Sequence, residues 1–129
     1  MIFLEIVTNR KKESKLFPPN PKEIKIKPDH LPFENQSQDV ILAITALHEI
    51  LDHDQRVLFF KEAKRILKDD GVIIVSEQFR DLTNFLFFNI GAFHFLSQKQ
   101  WKRAISEAGL KIIENKKITP FANMLIVKN

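Results

Sequence analysis

The chain has 129 residues, 44% hydrophobic and 28% charged, a composition typical of one globular domain and not of a disordered chain. It has no cysteine, which excludes disulfides, cysteine-ligated zinc, iron–sulfur clusters and cysteine nucleophiles. The formal net charge is +4, but the 20 Lys and Arg are scattered among 16 Asp and Glu, so the sequence favours a solvated lysine-rich surface over a nucleic-acid-binding patch.

The first part of the chain predicts two strands separated by a short helix and a stiff loop. Met1–Val7 is apolar apart from one acid and is typical of a buried strand. The polar segment 8–15 can form a short helix, and three prolines within residues 18–21 exclude helix after it. Glu23–Lys27 alternates isoleucine with charged residues, as in an edge strand with one exposed face.

The middle of the chain predicts a strand–helix–strand unit. Val40–Ile44 is a short apolar run, as expected for a strand buried on both faces of a parallel sheet. Asp54–Lys68 has apolar residues at helical spacing, and we predict that Asp69–Gly71 ends this helix. Val72–Val75 is a second apolar strand, followed by the acid Glu77. The tight connections indicate a right-handed crossover between two parallel strands.

The last part of the chain predicts one helix and two closing strands. Ser97 and Gln100 have the spacing of a capping box, and Gly109 is suited to ending the same helix. Leu110–Glu114 and Met124–Val127 are typical of strands, and they should pair antiparallel because no helix fits between them. The alternating order predicts an α/β domain with a mostly parallel sheet.

A series of motifs starts at residue 31. They are, in order, Leu31-Pro32-Phe33-Glu34, Asp39-Val40-Ile41-Leu42, Leu47-His48-Glu49, Glu62-Ala63-Lys64-Arg65-Ile66-Leu67-Lys68 and Gly71-Val72-Ile73-Ile74-Val75. Together they resemble class I S-adenosylmethionine (SAM)-dependent methyltransferases. In that family an LPF loop, a DVV strand, an LHH turn, a helix ending in RVLKPGG and an apolar strand ending in an acid follow in this order.

The resemblance covers the chain from Leu31 to Asn129, because Ser97–Gly109 is also similar to a later helix of the family. It implies a Rossmann-like, mostly parallel sheet with helices on both faces and an antiparallel C-terminal strand pair, formed as a single domain by residues 1–129. It also implies transfer of a methyl group from SAM to a small-molecule acceptor. With no signal peptide and no apolar run long enough to span a bilayer, we expect a cytoplasmic protein that binds neither membrane nor nucleic acid.

One departure from the family pattern bears directly on the cofactor. No G-x-G-x-G loop is present, since the three glycines are Gly71, Gly91 and Gly109. In the family this loop lets the backbone approach SAM closely. We therefore expect a truncated or eroded domain, smaller than the full methyltransferase fold, in which SAM binding is weakened or lost. The alternative is a catalytically inactive methyltransferase-like interaction or dimerisation module.

Met1–Val7 has two alignments with the family. It is either the first strand, with its glycine loop eroded, or the second strand, whose terminal acid binds the ribose hydroxyls of SAM. The family's first strand lies beside the strand that corresponds to Val40–Ile44, so we expect Met1–Val7 to move into that position or a partner chain to fill it. An open strand edge also favours a homodimer.

We expect cofactor contacts at the end of the first strand, just before the LPF loop, and where the Val40 strand ends. The last position follows because ligands bind outside the carboxyl ends of strands in open α/β sheets. The candidate residues are Glu5, Asp29, His30, Leu31, Ala43, Ile44 and Thr45.

The LHH-like turn supplies candidate acid–base residues, His48 and Glu49, because histidine titrates near neutral pH. The alternative is that His48 only fixes the conformation of the turn. The acids and histidines of residues 48–54 do not place three ligands on one face, so we expect no metal site.

Overall fold

The structure, a computed structural model, describes residues 2–4, 26–44, 46–88 and 96–129. The predicted helix over residues 8–15 and the proline-rich loop lie outside these residues, as do the site candidates Glu5 and Thr45. Of the predicted strand Glu23–Lys27, only the last two residues are described. They belong to no named strand, although Lys27 forms an isolated bridge with His30.

Five strands of the described residues form one sheet, in the order β1-β2-β3-β5-β4. β1, β2 and β3 run parallel, while β5 is antiparallel to β3 and β4 is antiparallel to β5. The predicted α/β fold, with its antiparallel C-terminal pair, is confirmed. In chain order the elements are β1 (Ile2–Leu4), β2 (Gln38–Ile44), a 3-10 turn (Leu47–Glu49), α1 (His53–Ile66), β3 (Leu67–Glu77), α2 (Leu82–Phe88), α3 (Gln98–Glu107), β4 (Lys111–Lys117) and β5 (Asn123–Lys128).

β1 lies beside β2, in the position into which we expected Met1–Val7 to move. Leu4 pairs with Ala43 across the β1–β2 ladder, and Ala43 pairs with Val75 across the β2–β3 ladder. Parallel strands that are in register in this way end on the same side of the sheet. The carboxyl ends of β1, β2 and β3 therefore form one continuous boundary, which we call the carboxyl edge.

One face of the sheet forms the core together with α1 and α3. Ile41, Ile73 and Val127 are cross-strand neighbours on this face, and all three are fully buried. Phe60 of α1 and Trp101 of α3 meet edge to face, with ring centroids 6.4 Å apart. This aromatic contact packs the two helices against each other, above the buried face of the sheet.

The end of α1 differs from the prediction. The helix ends at Ile66, and Leu67 is already extended and pairs with Gln38 of β2. A Cβ on Gly71 would lie 2.7 Å from two side-chain carbons of Leu67, so the glycine allows a close approach within β3 and does not end the helix. Pairing with β2 overrides the local helix signal of residues 67–68, and for that reason the prediction of Asp69–Gly71 as the helix stop was wrong.

The predicted boundaries of α3 are confirmed. The Ser97 side chain accepts a hydrogen bond from the Gln100 backbone N–H, and the Gln100 side chain binds back to the Ser97 N–H, which completes the capping box. Gly109 has φ of 78°, the left-handed conformation in which helices commonly end.

Candidate active site

The segment that follows β2 packs against the carboxyl edge. Residues 46–51 connect β2 to α1, and we call them the edge loop. Ala46, Leu47 and Ile50 bury their side chains in the core, so the loop is held close to the end of the sheet. At its centre is the 3-10 turn, closed by a hydrogen bond from the Ile50 N–H to the Leu47 carbonyl.

Glu77, the last residue of β3, holds the beginning of the edge loop. Alternation along β3 places Glu77 on the same face as the core residue Val75, so its side chain is only 1% exposed. Oε1 accepts a hydrogen bond from the backbone N–H of Leu47 at 2.7 Å, and Oε2 lies 3.1 Å from Nδ1 of His48. Both carboxyl oxygens thus have partners, as a buried polar group requires.

Arg56 of α1 holds the other end of the edge loop. Its side chain is 3% exposed, and Nη1 donates hydrogen bonds of 2.8 Å to the carbonyl oxygens of Ile50 and Leu51. Burial lowers the pKa of the Arg56 guanidinium, an effect that Asp52 opposes. Arginine nevertheless remains charged at neutral pH. Two buried charged side chains therefore fix one six-residue loop through its backbone.

Three of the predicted site residues lie at the carboxyl edge. Ala43 is fully buried on the core face of β2, whereas Ile44, one residue later, is 44% exposed. His48 stands in the edge loop beyond them with a side chain that is 27% exposed. Glu49 is in the same turn, but its side chain is outside the described part of the structure.

The other three predicted cofactor contacts, Asp29, His30 and Leu31, do not lie at the carboxyl edge. Asp29 and His30 are exposed in a turn in which the His30 N–H donates to the Lys27 carbonyl at 3.1 Å. Leu31 is fully buried, and its N–H donates to Oε2 of Glu62 at 3.0 Å. The Leu31 carbonyl accepts from both Arg65 and the backbone of Phe33, so its backbone has no hydrogen-bonding group left for a ligand.

The position of Leu31 follows from the direction of α1. This helix begins near the carboxyl edge, after the edge loop, and runs back to the amino ends of β2 and β3. Glu62 and Arg65 are in its C-terminal third, so they hold Leu31 towards the opposite side of the sheet from His48. The structure thus does not bring the two groups of predicted cofactor contacts together at the carboxyl edge.

The residues that hold the edge loop and the backbone of Leu31 were not among the predicted site residues. Glu77 carried a usable signal, since it is an acid directly after an apolar strand that was expected to end at a ligand-binding edge. Arg56 carried a weaker one, an arginine beside Val57 on the apolar side of α1. Glu62 and Arg65 were recognised only as part of a motif, without a role.

At the carboxyl edge, the residue that suits the apolar part of SAM, the cofactor that the resemblance implies, is Ile44. Ala43 is fully buried, whereas Ile44, the last residue of β2, is 44% exposed. Ile44 therefore offers exposed apolar surface at the end of the strand, where ligands bind in open α/β sheets. Glu5, the candidate for the ribose hydroxyls, lies outside the described residues. In the described part of the chain no group of three His, Asp or Glu could hold a metal ion, and no helix is long and apolar enough to cross a membrane.

Comparison with solved structures identifies methyltransferases of the same fold. A SAM-dependent methyltransferase from Aquifex aeolicus has a TM-score of 0.69 at 15% identity, covering 91% of this chain and 59% of the other. One from Methanosarcina mazei has a TM-score of 0.64 at 14% identity, covering 81% and 64%. One from Leishmania major has a TM-score of 0.60 at 18% identity, covering 78% and 42%. The chain therefore spans about two-fifths to two-thirds of the length of these proteins.

The sequence itself gives the family. No curated protein matches the chain. The family model for the methyltransferase domain matches residues 3–75, which is more than half of the 129 residues and includes most of β1, all of β2, the edge loop, α1 and most of β3. The chain therefore belongs to the methyltransferase domain family.

Proposed function

We propose that this domain binds SAM at the carboxyl edge and transfers its methyl group to a small-molecule acceptor. The observation that carries the proposal is the register of the parallel strands. Leu4, Ala43 and Val75 are aligned, so three strands end together beside a fixed loop. This arrangement supports a crevice of the kind that binds ligands in open α/β sheets, although the chain has no G-x-G-x-G loop.

The residues proposed to hold SAM are those at the strand ends. Ile44 supplies apolar contact area, and the backbone of Ala43 lies directly before it in β2. Thr45, the next residue in the sequence, is the third proposed contact.

We assign the ribose hydroxyls to Glu5, the acid that follows β1 in the sequence. Asp29 and His30 are left out of this site, because they precede Leu31, which is held towards the opposite side of the sheet. When bound, SAM supplies a methyl group that is already activated on a sulfonium.

The protein's own part in the reaction is then to position an acceptor and to exclude water. His48 stands at the carboxyl edge and is the proposed proton acceptor, with Glu49 beside it in the same turn. A base of this kind is needed only when the acceptor must lose a proton to react.

The second candidate function is a non-catalytic interaction module. The missing glycine loop favours it, because the backbone that approaches SAM closely in the family lacks its small residues here. In the described part of the sheet β1 lies at one edge, and an edge strand can pair with a strand of a second copy. This candidate predicts a dimer without affinity for SAM.

Isothermal titration calorimetry with SAM and with its demethylated product separates the two candidates. The first predicts a Kd below about 100 µM, which corresponds to about 5.5 kcal/mol. Absence of heat at millimolar ligand, together with a dimer in analytical ultracentrifugation, contradicts the first and supports the second.

A pair of variants localises the binding site. Ile44→Trp should fill the space beyond β2 and weaken SAM binding by at least about tenfold, equal to about 1.4 kcal/mol. Ile113→Trp is the matched control, because Ile113 is an isoleucine in a strand with a similar exposure of 57%, on β4 at the far side of the sheet. Equal affinities of the two variants would place the ligand away from the carboxyl edge.

A further inference from the structure

The helix that follows β3 buries a polar side chain and exposes apolar ones. Asn84, in the middle of α2, is fully buried, whereas Leu82 and Leu86 are 73% and 67% exposed. The two leucines are four residues apart and lie on one side of the helix, with Asn84 on the opposite side. A helix at the surface of a domain normally turns its apolar side towards the core. Packing within the domain therefore does not account for the exposed leucines.

Hydrogen bonds hold the buried side of α2. Nδ2 of Asn84 donates to the carbonyl oxygen of Phe79 at 2.7 Å and to that of Phe121 at 2.9 Å. Phe79 follows the end of β3, and Phe121 is in the hairpin between β4 and β5. The Asn84 N–H also donates to Oδ1 of Asp81 at 2.9 Å. These bonds fix the helix with its leucine side outwards.

Three segments of the chain meet around α2. Arg80, just before the helix, contacts the beginning of α3. Its N–H donates to the Leu96 carbonyl at 2.9 Å, and Nη2 donates to Oε1 of Gln100 at 3.0 Å. The bond from Asn84 adds the β4–β5 hairpin to the same place. We call residues 78–88, 96–100 and 116–122 together the α2 corner.

The α2 corner is basic. Its four basic residues are exposed, and the one acid in these three segments, Asp81, lies 3.8 Å from Nζ of Lys117. Four bases against one acid leave three positive charges, which is most of the chain's net charge of +4. The fold thus brings together basic residues that are scattered in the sequence, namely Arg80, Lys99, Lys116 and Lys117.

Exposed apolar side chains beside lysine and arginine are typical of surfaces that bind anionic bilayers. The apolar side chains enter the headgroup region, and the basic residues are attracted by the negative surface potential. Leu51 of the edge loop offers a contrast. It is 79% exposed, but the neighbouring charged residues in the sequence are the acids Asp52 and Asp54, which an anionic surface repels. The combination of apolar and basic residues is therefore specific to the α2 corner.

We propose that the α2 corner docks this domain on the surface of an anionic lipid bilayer, with Leu82 and Leu86 in the headgroup region. This inference goes beyond methyl transfer and does not depend on SAM binding. The sequence predicted no membrane contact because it has no apolar run long enough to span a bilayer. A surface contact requires no such run, since a few exposed apolar and basic side chains provide it.

Cosedimentation with lipid vesicles tests the docking. The probe is a vesicle of equal parts phosphatidylcholine and phosphatidylglycerol, and the comparison is a vesicle of phosphatidylcholine alone. At low ionic strength the protein should bind the mixed vesicle at least about tenfold more tightly, and added salt should reduce the difference. No binding to the mixed vesicle, or equal binding to both vesicles, would overturn the proposal.

A pair of leucine variants tests which surface makes the contact. Leu86→Ser should weaken binding to the mixed vesicle by about fivefold or more, because less apolar area is then buried. Both variants should fold, since each changes a side chain that is mostly exposed. Leu51→Ser makes the same chemical change beside acids and should leave binding unchanged. An equal or larger loss of binding in Leu51→Ser than in Leu86→Ser contradicts docking through α2.

A pair of lysine variants tests the charge. Lys116→Gln/Lys117→Gln should weaken binding to the mixed vesicle by about tenfold or more, since each lysine near the surface contributes about 1 kcal/mol. Lys61→Gln/Lys128→Gln removes the same charge from exposed residues outside the α2 corner and should have a clearly smaller effect. Equal losses of affinity in the two variants would mean that only the net charge matters, and the proposal would fail.

A second copy of the chain is the competing occupant of the leucine side. If the wild type does not bind the mixed vesicle and is a dimer in analytical ultracentrifugation that Leu86→Ser dissociates, the surface is a dimer interface. That result overturns docking on a bilayer. A wild type that binds the mixed vesicle but not SAM contradicts the proposed function alone and supports the docking surface.

Discussion

The two ends of β2 are fixed in different ways. At its amino end, Arg65 binds both carboxyl oxygens of Glu62 and also the carbonyl oxygens of Leu31 and Phe33. This pair is partly exposed, with 30% and 19% of the two side chains accessible. At the carboxyl end, the buried side chains of Glu77 and Arg56 bind the backbone of the edge loop and an imidazole.

The difference separates a segment that is held by a partly exposed ion pair from a loop that is held by two buried side chains. Opposite charges that neutralise each other, as Glu62 and Arg65 do, stabilise the segment they bridge at a low cost of desolvation. Buried charges that bind backbone groups carry a larger desolvation cost and restrict a segment to one conformation. We expect the first kind of site to dominate stability and the second to dominate the geometry of the carboxyl edge.

The largest effect on stability should come from Arg65→Met. The substitution removes the hydrogen bonds to Glu62, Leu31 and Phe33 and leaves a partly buried carboxylate unpaired, so the free energy of unfolding should fall by about 2–4 kcal/mol. Urea unfolding measures this loss. Arg103→Met is the control, because its ion pair with Glu107 is on the surface and should contribute little to the free energy of unfolding. Similar losses of unfolding free energy in Arg65→Met and Arg103→Met would mean that the contacts of Arg65 at the amino end of β2 stabilise the fold no more than a surface ion pair does.

Arg56→Met should have a smaller effect on stability and a local effect on structure. The carbonyls of Ile50 and Leu51 lose their donor, which should cost about 1–2 kcal/mol. Hydrogen exchange should become faster at the Ile50 N–H, since its bond to Leu47 closes the turn. Lys61→Met, on the exposed side of the same helix, should change neither quantity. Faster exchange spread over the whole of α1 would contradict a specific role in the edge loop.

The smallest effect should be on the pH dependence of stability. The hydrogen bonds from Arg65 hold the pKa of Glu62 below its usual value of 4.5. Below that value the unfolded chain therefore binds a proton more readily than the folded one. The stabilisation is fully present above pH 4.5 and is lost as the pH falls below it.

Urea unfolding between about pH 6 and about pH 3.5 tests this prediction. The loss of stability that is due to Glu62 should be less than about 1 kcal/mol in the wild type, because the pair is partly exposed. It should be smaller in Arg65→Met, where the largest cause of the lowered pKa of Glu62 is removed and the hydrogen bond from the Leu31 N–H remains. A variant with the same pH dependence as the wild type would mean that the carboxyl is not stabilised by Arg65.

Elements whose signal is local could be predicted from the sequence. The capping box of Ser97 and Gln100 and the left-handed Gly109 depend on neighbours within a few residues, and both are confirmed. The apolar run Val40–Ile44 is likewise a strand within the longer β2. The end of α1 could not be predicted in this way, because Leu67 leaves the helix to pair with Gln38, 29 residues earlier.

The same distinction between local signals and distant contacts applies to the candidate site. The amino-acid sequence alone determined the strand–helix–strand unit, α3, the closing strand pair and the motifs of the methyltransferase domain family, since these depend on residue types at short spacings. It did not predict α2. Only the tertiary structure decided that β1 lies beside β2 and that Glu77 reaches a turn 30 residues before it. Strand register and the direction in which a buried side chain points depend on contacts between distant parts of the chain, and periodicity in the sequence does not encode them.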